Sequence, residues 1–323
     1  MSSHDCVADR IRGALIGLAA CDALGALVEA CAPGSFPEVT ADAFAHHKRY
    51  PNRHRLPRGA FTDDTSMALC LAHSVVVKKA LDPVHVMECF RKWWKEGFMS
   101  SVRGRCVDIG NNTRAQLTRR GWRTKPLLDV ITLKVGKGSN GGIMRLSPVA
   151  VGLRALLPHD AVLQACEDSS RVTHSTMACV EAARFLGALL LAAVEGEGKD
   201  ALLAPGRFAG LFKACAPVDD GMRGIVDATY RTLSPPDIRA GAGVVDCLQA
   251  ALWGFATTDS FVGGALATIN LGNDADTVGA VYGQIAGAFY GAGAVPEAWL
   301  EHGSMSKVCK LADKLAALGG SVG

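Results

Sequence analysis

The chain has 323 residues, of which 49% are hydrophobic and only 6% aromatic, so its core must be built mainly from small aliphatic side chains. Its formal net charge of +3 is too small to indicate a nucleic-acid or anionic-membrane partner. Eleven cysteines without CxxC or CxxH spacing, and no basic segment leading into an apolar one at the N-terminus, predict reduced thiols in a cytoplasmic protein.

Hydrophobic residues recur at helical spacing over residues 7–30, which predicts the first helix. Four prolines predict a loop over residues 31–60. A second helix is predicted from about Asp64 to Leu81, where Asp82-Pro83 ends it. Further helices are predicted over 84–97, 111–120, 126–134, 159–168, 176–195, 207–215, 219–232, 242–256, 259–270, 276–290 and 306–318.

No segment alternates between apolar and polar residues as a strand does, and no linker or repeat divides the chain. The most apolar run, residues 185–194, is shorter than the roughly 20 residues that span a bilayer. We therefore predict an all-α fold, in a single compact multi-helix domain over residues 1–323, and we expect a monomer without a membrane partner.

Four glycines recur every fourth residue in the last long helix, at Gly279, Gly283, Gly287 and Gly291. Glycine inside a helix costs about 0.5–1 kcal/mol relative to alanine. Such a row is typical of a helix that another backbone approaches very closely, so we predict that this helix is central.

Two acidic stretches resemble each other, Thr62-Asp63-Asp64-Thr65 and Asp274-Ala275-Asp276-Thr277. Each lies where a loop enters an apolar helix, so each stretch taken alone could be an ordinary helix N-cap with no further role. As a pair, their carboxylates and hydroxyls are hard oxygen ligands for Mg²⁺, Mn²⁺ or Ca²⁺. Their four carboxylates would balance two divalent cations in charge, and without cations they would repel one another.

Two further stretches contain polar or glycine-rich turns, Asp108–Thr113 and Gly138–Arg145. The first could be an ordinary turn with Asn111 as a cap, and the second could direct backbone N–H groups at an anion such as a diphosphate. Glu29 at the end of the first helix and His174 before a later helix have ordinary explanations when each is considered alone.

Together these segments resemble the ADP-ribosylglycohydrolase family, particularly its bacterial dinitrogenase reductase-activating glycohydrolase branch. The matching segments follow the family order from about Arg10 to Leu300. They are Gly17–Glu29, Thr62–Met67, Val107–Asn111, Asn140–Arg145, Arg171–His174 and Asn270–Gly291.

The resemblance implies an all-α fold with a dinuclear Mg²⁺ or Mn²⁺ centre in a cleft. It implies that Asp108 and Glu29 are the catalytic carboxylates, without deciding which is the base. The implied metal ligands are Thr62, Asp63, Asp64, Asp274, Asp276 and Thr277. The implied ADP-ribose-binding residues are Asn111, Ser139, Asn140, Gly141, Gly142, Met144 and His174.

The resemblance also implies the activity, which is removal of ADP-ribose from a modified protein side chain, with ADP-ribosyl-arginine as the expected acceptor and ADP-ribose as product. Hydrolysis of serine-, polymer- or nucleic-acid-linked ADP-ribose remains an alternative, as does a relative that binds ADP-ribose without turnover. One departure concerns the nucleoside, because Gly243 stands where family members often carry an aromatic residue.

A basic segment, His46–Arg58, comes directly before the first acidic stretch. It could be a solvated loop, since Arg and Lys are mostly exposed. Alternatively, it borders the active site and attracts the diphosphate of the substrate.

Overall fold

A computed structural model describes residues 3–131, 138–212 and 219–318, and the regular structure in these ranges is helical. The α-helices are α1 (Ser3–Gly25), α2 (Asp63–Lys78), α3 (Pro83–Glu96), α4 (Asn111–Thr118), α5 (Ser147–Leu153), α6 (His159–Arg171), α7 (Met177–Glu195), α8 (Lys199–Leu202), α9 (Asp220–Val226), α10 (Val244–Thr257), α11 (Phe261–Ile269), α12 (Ala275–Tyr290), α13 (Glu297–Leu300) and α14 (Met305–Ala317). In the described ranges no strand forms, and the only β-pairing is two isolated bridges. The predicted all-α fold is confirmed.

Most predicted helices occur within a few residues of their expected bounds, but residues 126–131 are not helical. Their backbone instead bonds to the chain that enters α7: Leu128 N–H donates to the Arg171 carbonyl at 2.9 Å, and Ile131 N–H to that of Ser175 at 2.8 Å. The helix predicted over 126–134 is therefore wrong for residues 126–131, and residues 132–134 lie outside the described ranges.

Other differences are local. The first helix ends at Gly25 rather than at residue 30, because residues 26–30 form turns. The helix predicted over 207–215 is only a short 3₁₀ turn, Ala209–Leu211, before the described chain stops at 212. Helix α5 was not predicted, since a seven-residue helix is too short to show a clear hydrophobic period.

The predicted close approach of a second backbone to α12 is confirmed, and the partner is α1. The two helices run antiparallel, with Gly13 opposite Gly287 and Gly17 opposite Gly283. A Cβ on Gly287 would lie 1.9 Å from the Gly13 carbonyl oxygen, and one on Gly17 would lie 2.4 Å from that of Gly283. No side chain fits between these backbones, so the small residues determine the spacing of the two helices.

Helix α7 forms much of the surrounding core and packs against α6, α12, α5 and α10. It is the one described helix that is long and apolar enough to cross a membrane. However, 89% of its most apolar window is buried inside the fold. This burial is typical of a core helix.

We predict that Gly283→Ala strongly destabilises the protein, because its Cβ would lie 2.2 Å from the Gly17 carbonyl oxygen. Overpacking of this kind costs about 1–3 kcal/mol or more, and the rigid backbone of α1 cannot move aside locally. Urea denaturation would measure the loss. Gly293→Ala is the matched control, since no atom lies within 4 Å of its added Cβ, and it should change the free energy of unfolding by less than about 0.5 kcal/mol. Equal stability of the two variants would contradict the prediction.

Candidate metal centre and active site

The N-termini of α2 and α12 meet beside α1, and the two acidic stretches lie at these ends. Thr62 precedes α2 and Asp274 precedes α12, yet neither side chain makes a capping hydrogen bond. The N-cap explanation of the two stretches therefore does not account for either residue. Both helix dipoles place their positive ends among the carboxylates, which favours negative charge there.

Asp22 of α1 fixes the position of the first acidic stretch. Its fully buried carboxylate accepts the backbone N–H groups of Thr62 (3.0 Å) and Thr65 (2.9 Å). It also accepts their hydroxyls, at 2.9 Å and 2.5 Å. Sequence reasoning gave Asp22 no role; the available signal was a lone carboxylate within an otherwise apolar helical segment.

Three carboxylates from different helices converge on one point. One ligand oxygen from each of Asp22, Asp64 and Asp276 lies within 4.8 Å of the other two. The Thr62 hydroxyl lies 3.0 Å from Asp64 Oδ2 and 3.3 Å from Asp276 Oδ2, and its single proton can serve only one acceptor at a time. The structure thus brings together residues that are 254 positions apart along the chain, from Asp22 to Asp276.

Two oxygens at this point have no hydrogen-bond donor. Asp64 Oδ1 and Asp276 Oδ1 are buried, and no described group donates to them. A buried carboxylate oxygen without a partner is strongly unfavourable unless a cation or a proton compensates it. Hard carboxylate and hydroxyl oxygens are the donors that Mg²⁺ and Mn²⁺ prefer, so the residues present fit divalent cations.

Burial raises the pKa of every carboxyl group in this centre. It raises the pKa of Asp22 to about 6, even though four hydrogen bonds from Thr62 and Thr65 lower it. For Asp63, Asp64 and Asp276, burial raises the pKa well above the ordinary value, and repulsion between neighbouring carboxylates adds to the effect. The pKa of Asp274 is raised as well, mainly by burial. Ionising all of these groups together requires compensating positive charge.

Arg145 supplies one positive charge from behind the centre. Its guanidinium is fully buried; Nη2 donates to Thr173 Oγ1 at 2.6 Å, and the group lies 4.7 Å from the ring centre of Phe90. Burial lowers the pKa of Arg145 to about 10, while Asp63 and Asp64 oppose this shift, so it remains charged at neutral pH. Five carboxylates and one guanidinium leave a formal charge of −4, which two divalent cations would neutralise.

A second acidic group adjoins the centre, formed by Glu29, His54 and Asp108. Glu29 is almost fully buried and accepts His54 Nε2 at 2.5 Å and Arg53 Nη1 at 3.3 Å. The bond to Glu29 raises the pKa of His54. His54 was not predicted as a site residue; it belongs to the basic segment 46–58, so part of that segment contacts the site directly.

The glycine-rich stretch is anchored to the same centre. Asn140 Nδ2 donates to Asp274 Oδ2 at 2.6 Å, and Gly141 and Gly142 are buried beside it in a 3₁₀ turn. His174 Nε2 lies 2.9 Å from Ser139 Oγ, and burial lowers the pKa of His174 to about 3, so its ring is neutral. A Cβ on Gly141 would lie 2.6 Å from the His174 ring, which therefore supports the turn from behind.

The remaining predicted residues lie at different depths around this turn. Met144 is buried, with its carbonyl accepting Gln284 Nε2 at 3.0 Å, whereas Asn111 is exposed at the start of α4. Gly243 pairs with Ser139 in an isolated bridge, and among the described residues a Cβ there would meet the Asp246 carboxyl group, with Oδ2 nearest at 3.3 Å. The absence of a side chain at Gly243 leaves space beside the turn.

The chain is similar to known proteins over nearly its whole length. The ADP-ribosylglycohydrolase family model matches residues 3–322. The ADP-ribosylarginine hydrolase Tri1 of Pseudomonas putida is 35% identical over 95% of this chain and 78% of its own length. The ADP-ribosyl-[dinitrogen reductase] glycohydrolase of Rhodospirillum rubrum is 32% identical over 97% of this chain and 98% of its own length. A solved structure described as an ADP-ribosylglycohydrolase-related protein complex superimposes with a TM-score of 0.80, at 35% identity, over 98% of this chain and 99% of the other.

We predict that cations reverse a pH-dependent loss of stability. A carboxyl group whose pKa is raised by folding stabilises the folded state only while it is protonated. This contribution to the free energy of unfolding is fully present below pH about 4. It is lost as the pH rises through the pKa in the folded state, which is about 6 for Asp22. The melting temperature of chelator-treated protein should therefore fall between pH 4 and 7. Mg²⁺ or Mn²⁺ at a hundredfold excess over its dissociation constant should restore about 2.7 kcal/mol at pH 7.

Differential scanning calorimetry across this pH range, with and without cation, would test the expectation. Asp22→Asn should lose part of the pH dependence, because the asparagine has no proton to release. A melting temperature with the same pH dependence in chelator and in Mn²⁺ would contradict a metal centre at these carboxylates.

Proposed function

The chain belongs to the ADP-ribosylglycohydrolase family, and we propose that it hydrolyses the glycosidic bond between ADP-ribose and a modified arginine side chain of a protein. The acceptor is supported by relatives about one-third identical over nearly the whole chain, one of which is named an ADP-ribosylarginine hydrolase. The single structural observation that carries the activity is the buried acidic centre with two unpartnered carboxylate oxygens, beside the second acidic group of Glu29 and Asp108.

Two divalent cations, Mg²⁺ or Mn²⁺, would be held by Thr62, Asp63, Asp64, Asp274, Asp276 and Thr277, with Asp22 positioning the first stretch. Bound there, they would polarise substrate oxygens and lower the pKa of a bound water. The protein itself supplies the buried, preorganised carboxylates and the charge of Arg145. Because Asp22 already accepts four hydrogen bonds from Thr62 and Thr65, its role is to orient these residues.

Glu29 and Asp108 have different surroundings, which supports different roles. Arg53 and His54 both bond to the Glu29 carboxylate, at 3.3 Å and 2.5 Å, so its oxygens are already occupied. Asp108 is only half-buried, and no described residue donates a hydrogen bond to its carboxylate. We therefore assign proton transfer to Asp108, and to Glu29 the electrostatic stabilisation of an oxocarbenium-like transition state.

Substrate binding is assigned to the turn at Ser139–Gly142, together with Met144, His174 and Asn111. The glycines allow backbone N–H groups to approach an anionic diphosphate, and Asn140 connects this turn to Asp274 of the metal centre. His174 holds Ser139 in place rather than titrating, because its ring stays neutral. We further propose that the enzyme works as a cytoplasmic monomer and that residues 1–323 form one domain.

The acceptor is tested by incubating the Mg²⁺- or Mn²⁺-loaded enzyme with arginine-, serine- and nucleic-acid-linked ADP-ribose and measuring released ADP-ribose. Release from the arginine conjugate should be fastest.

Asp108→Asn should lower kcat by about 10²–10⁴-fold, the usual contribution of a general acid or base, while leaving the melting temperature unchanged. Asp160→Asn, at an exposed position of α6, is the matched control and should retain full activity.

Faster release from the serine or nucleic-acid conjugate would favour the alternative acceptors. ADP-ribose binding without release from any conjugate would identify a binding protein rather than a hydrolase.

Arginines of the basic segment 46–58 should contribute to activity in two different ways. Arg53 contacts Glu29, whereas Arg55 and Arg58 are exposed and form no ion pair with any described residue. Replacing Arg55 and Arg58 with Ser should raise KM at low salt more than at high salt, because steering of the diphosphate is screened beyond a Debye length of about 8 Å at physiological ionic strength. Arg53→Ser should instead lower kcat. Salt-independent, parent-like kinetics of the Arg55/Arg58 double variant would identify this part of the segment as a merely solvated loop.

A further inference from the structure

Away from the acidic centre, helices α2 and α3 bring together two histidines and a cysteine. His85 and Cys89 are four residues apart on α3 and so lie on the same helix face. His73 of α2 lies against them, with its ring centre 5.9 Å from that of His85. A ligand atom from each of the three side chains lies within 4.8 Å of the other two.

We propose that His73, His85 and Cys89 form a second metal site, which binds a zinc-like transition metal with water completing the coordination. Imidazole nitrogen and thiolate sulfur select Zn²⁺ or Co²⁺ over Mg²⁺, whereas the acidic centre offers only oxygen ligands. The two sites therefore differ in the metal that they prefer. Both histidines are partly exposed, so a metal can enter from solvent and retain a water ligand.

The surroundings hold these side chains in place. His85 Nδ1 bonds to the buried hydroxyl of Ser74 at 2.9 Å, which leaves Nε2 for a metal. Such a contact to the second ring nitrogen is typical of metal-binding histidines. The ring of Phe98 packs edge-on against His73 at 5.5 Å, and the Cys89 carbonyl accepts the Cys70 thiol at 3.6 Å.

The surroundings of His73 favour its neutral form. Burial lowers the pKa of His73, and His85, Lys314 and Lys92 lower it further. A neutral imidazole is the form that binds a metal. Burial raises the pKa of the Cys89 thiol to about 11, so the metal must displace the thiol proton to solvent when the sulfur–metal bond forms. The resulting thiolate would offset the positive charge of the lysines and of the metal.

The site is separate from the proposed active centre. His73 follows Asp64 by nine residues on α2, which corresponds to about 14 Å at 1.5 Å per residue. A metal bound there would join the C-terminal half of α2 to α3. It would not occupy the carboxylates at the start of α2, so the site is independent of the proposed hydrolase activity.

Cobalt provides a direct test, because thiolate–Co²⁺ coordination gives a near-ultraviolet charge-transfer band that oxygen ligands do not give. Protein saturated with Mg²⁺ should show this band on addition of one equivalent of Co²⁺, and Zn²⁺ should abolish it. Cys89→Ser should lose the band, while Cys6→Ser, which removes an exposed thiol of α1, should keep it. Absence of the band in the parent protein, or its persistence in Cys89→Ser, would overturn the proposal.

Equilibrium dialysis against Zn²⁺ in excess Mg²⁺ gives a second measurement that does not depend on the cysteine variant. His73→Ala, at a partly exposed position, should weaken Zn²⁺ binding by at least tenfold, and Ser74→Ala by about 10–100-fold. Circular dichroism and Mg²⁺-dependent turnover should match the parent in His73→Ala. Unchanged Zn²⁺ binding in this variant would show that the three side chains are only packed together.

Discussion

The structure depends on the direct backbone contact between α1 and α12. Small residues at every fourth position allow these antiparallel helices to approach until the carbonyl oxygens of Gly13 and Gly17 lie where side chains would otherwise be. The same contact brings Asp22 of α1 close to Asp276 of α12, so that one carboxylate oxygen of each lies within 4.8 Å of the other. Helix α2 then completes the centre through the bonds of Thr62 and Thr65 to Asp22. Packing of small residues in the core thus determines the geometry of the acidic site.

The buried carboxylates of the acidic site are costly to ionise within the fold. Burial raises the pKa of its carboxyl groups, and only Arg145 provides a compensating charge within the described part of the centre. Two unpartnered oxygens show where further positive charge is needed. Folding and cation binding are therefore expected to be coupled, since a cation that binds the folded form compensates charges that burial alone would disfavour.

Around this centre, the neighbouring residues give each carboxylate a different hydrogen-bonding environment and accessibility. Asp22 is fully occupied by hydrogen bonds, Glu29 is held between Arg53 and His54, and Asp108 remains accessible. These differences support the division into positioning, electrostatic and proton-transferring groups. The thiol and imidazole groups of α2 and α3 form a chemically distinct cluster, so helix α2 connects an oxygen-rich site at its start to a nitrogen- and sulfur-containing site further along.

The sequence by itself determined the helical class, the close approach of a backbone to α12 and the residues of both acidic stretches, because hydrophobic period, glycine spacing and carboxylates at helix starts are local patterns. It did not determine the role of Asp22, His54 or Arg145, since each depends on partners far away along the chain. The segment 126–131 was misjudged for the same reason: its backbone bonds to residues near α7 override its local preference. Only the tertiary structure decided these features, because burial and hydrogen bonding between distant segments arise when the helices pack.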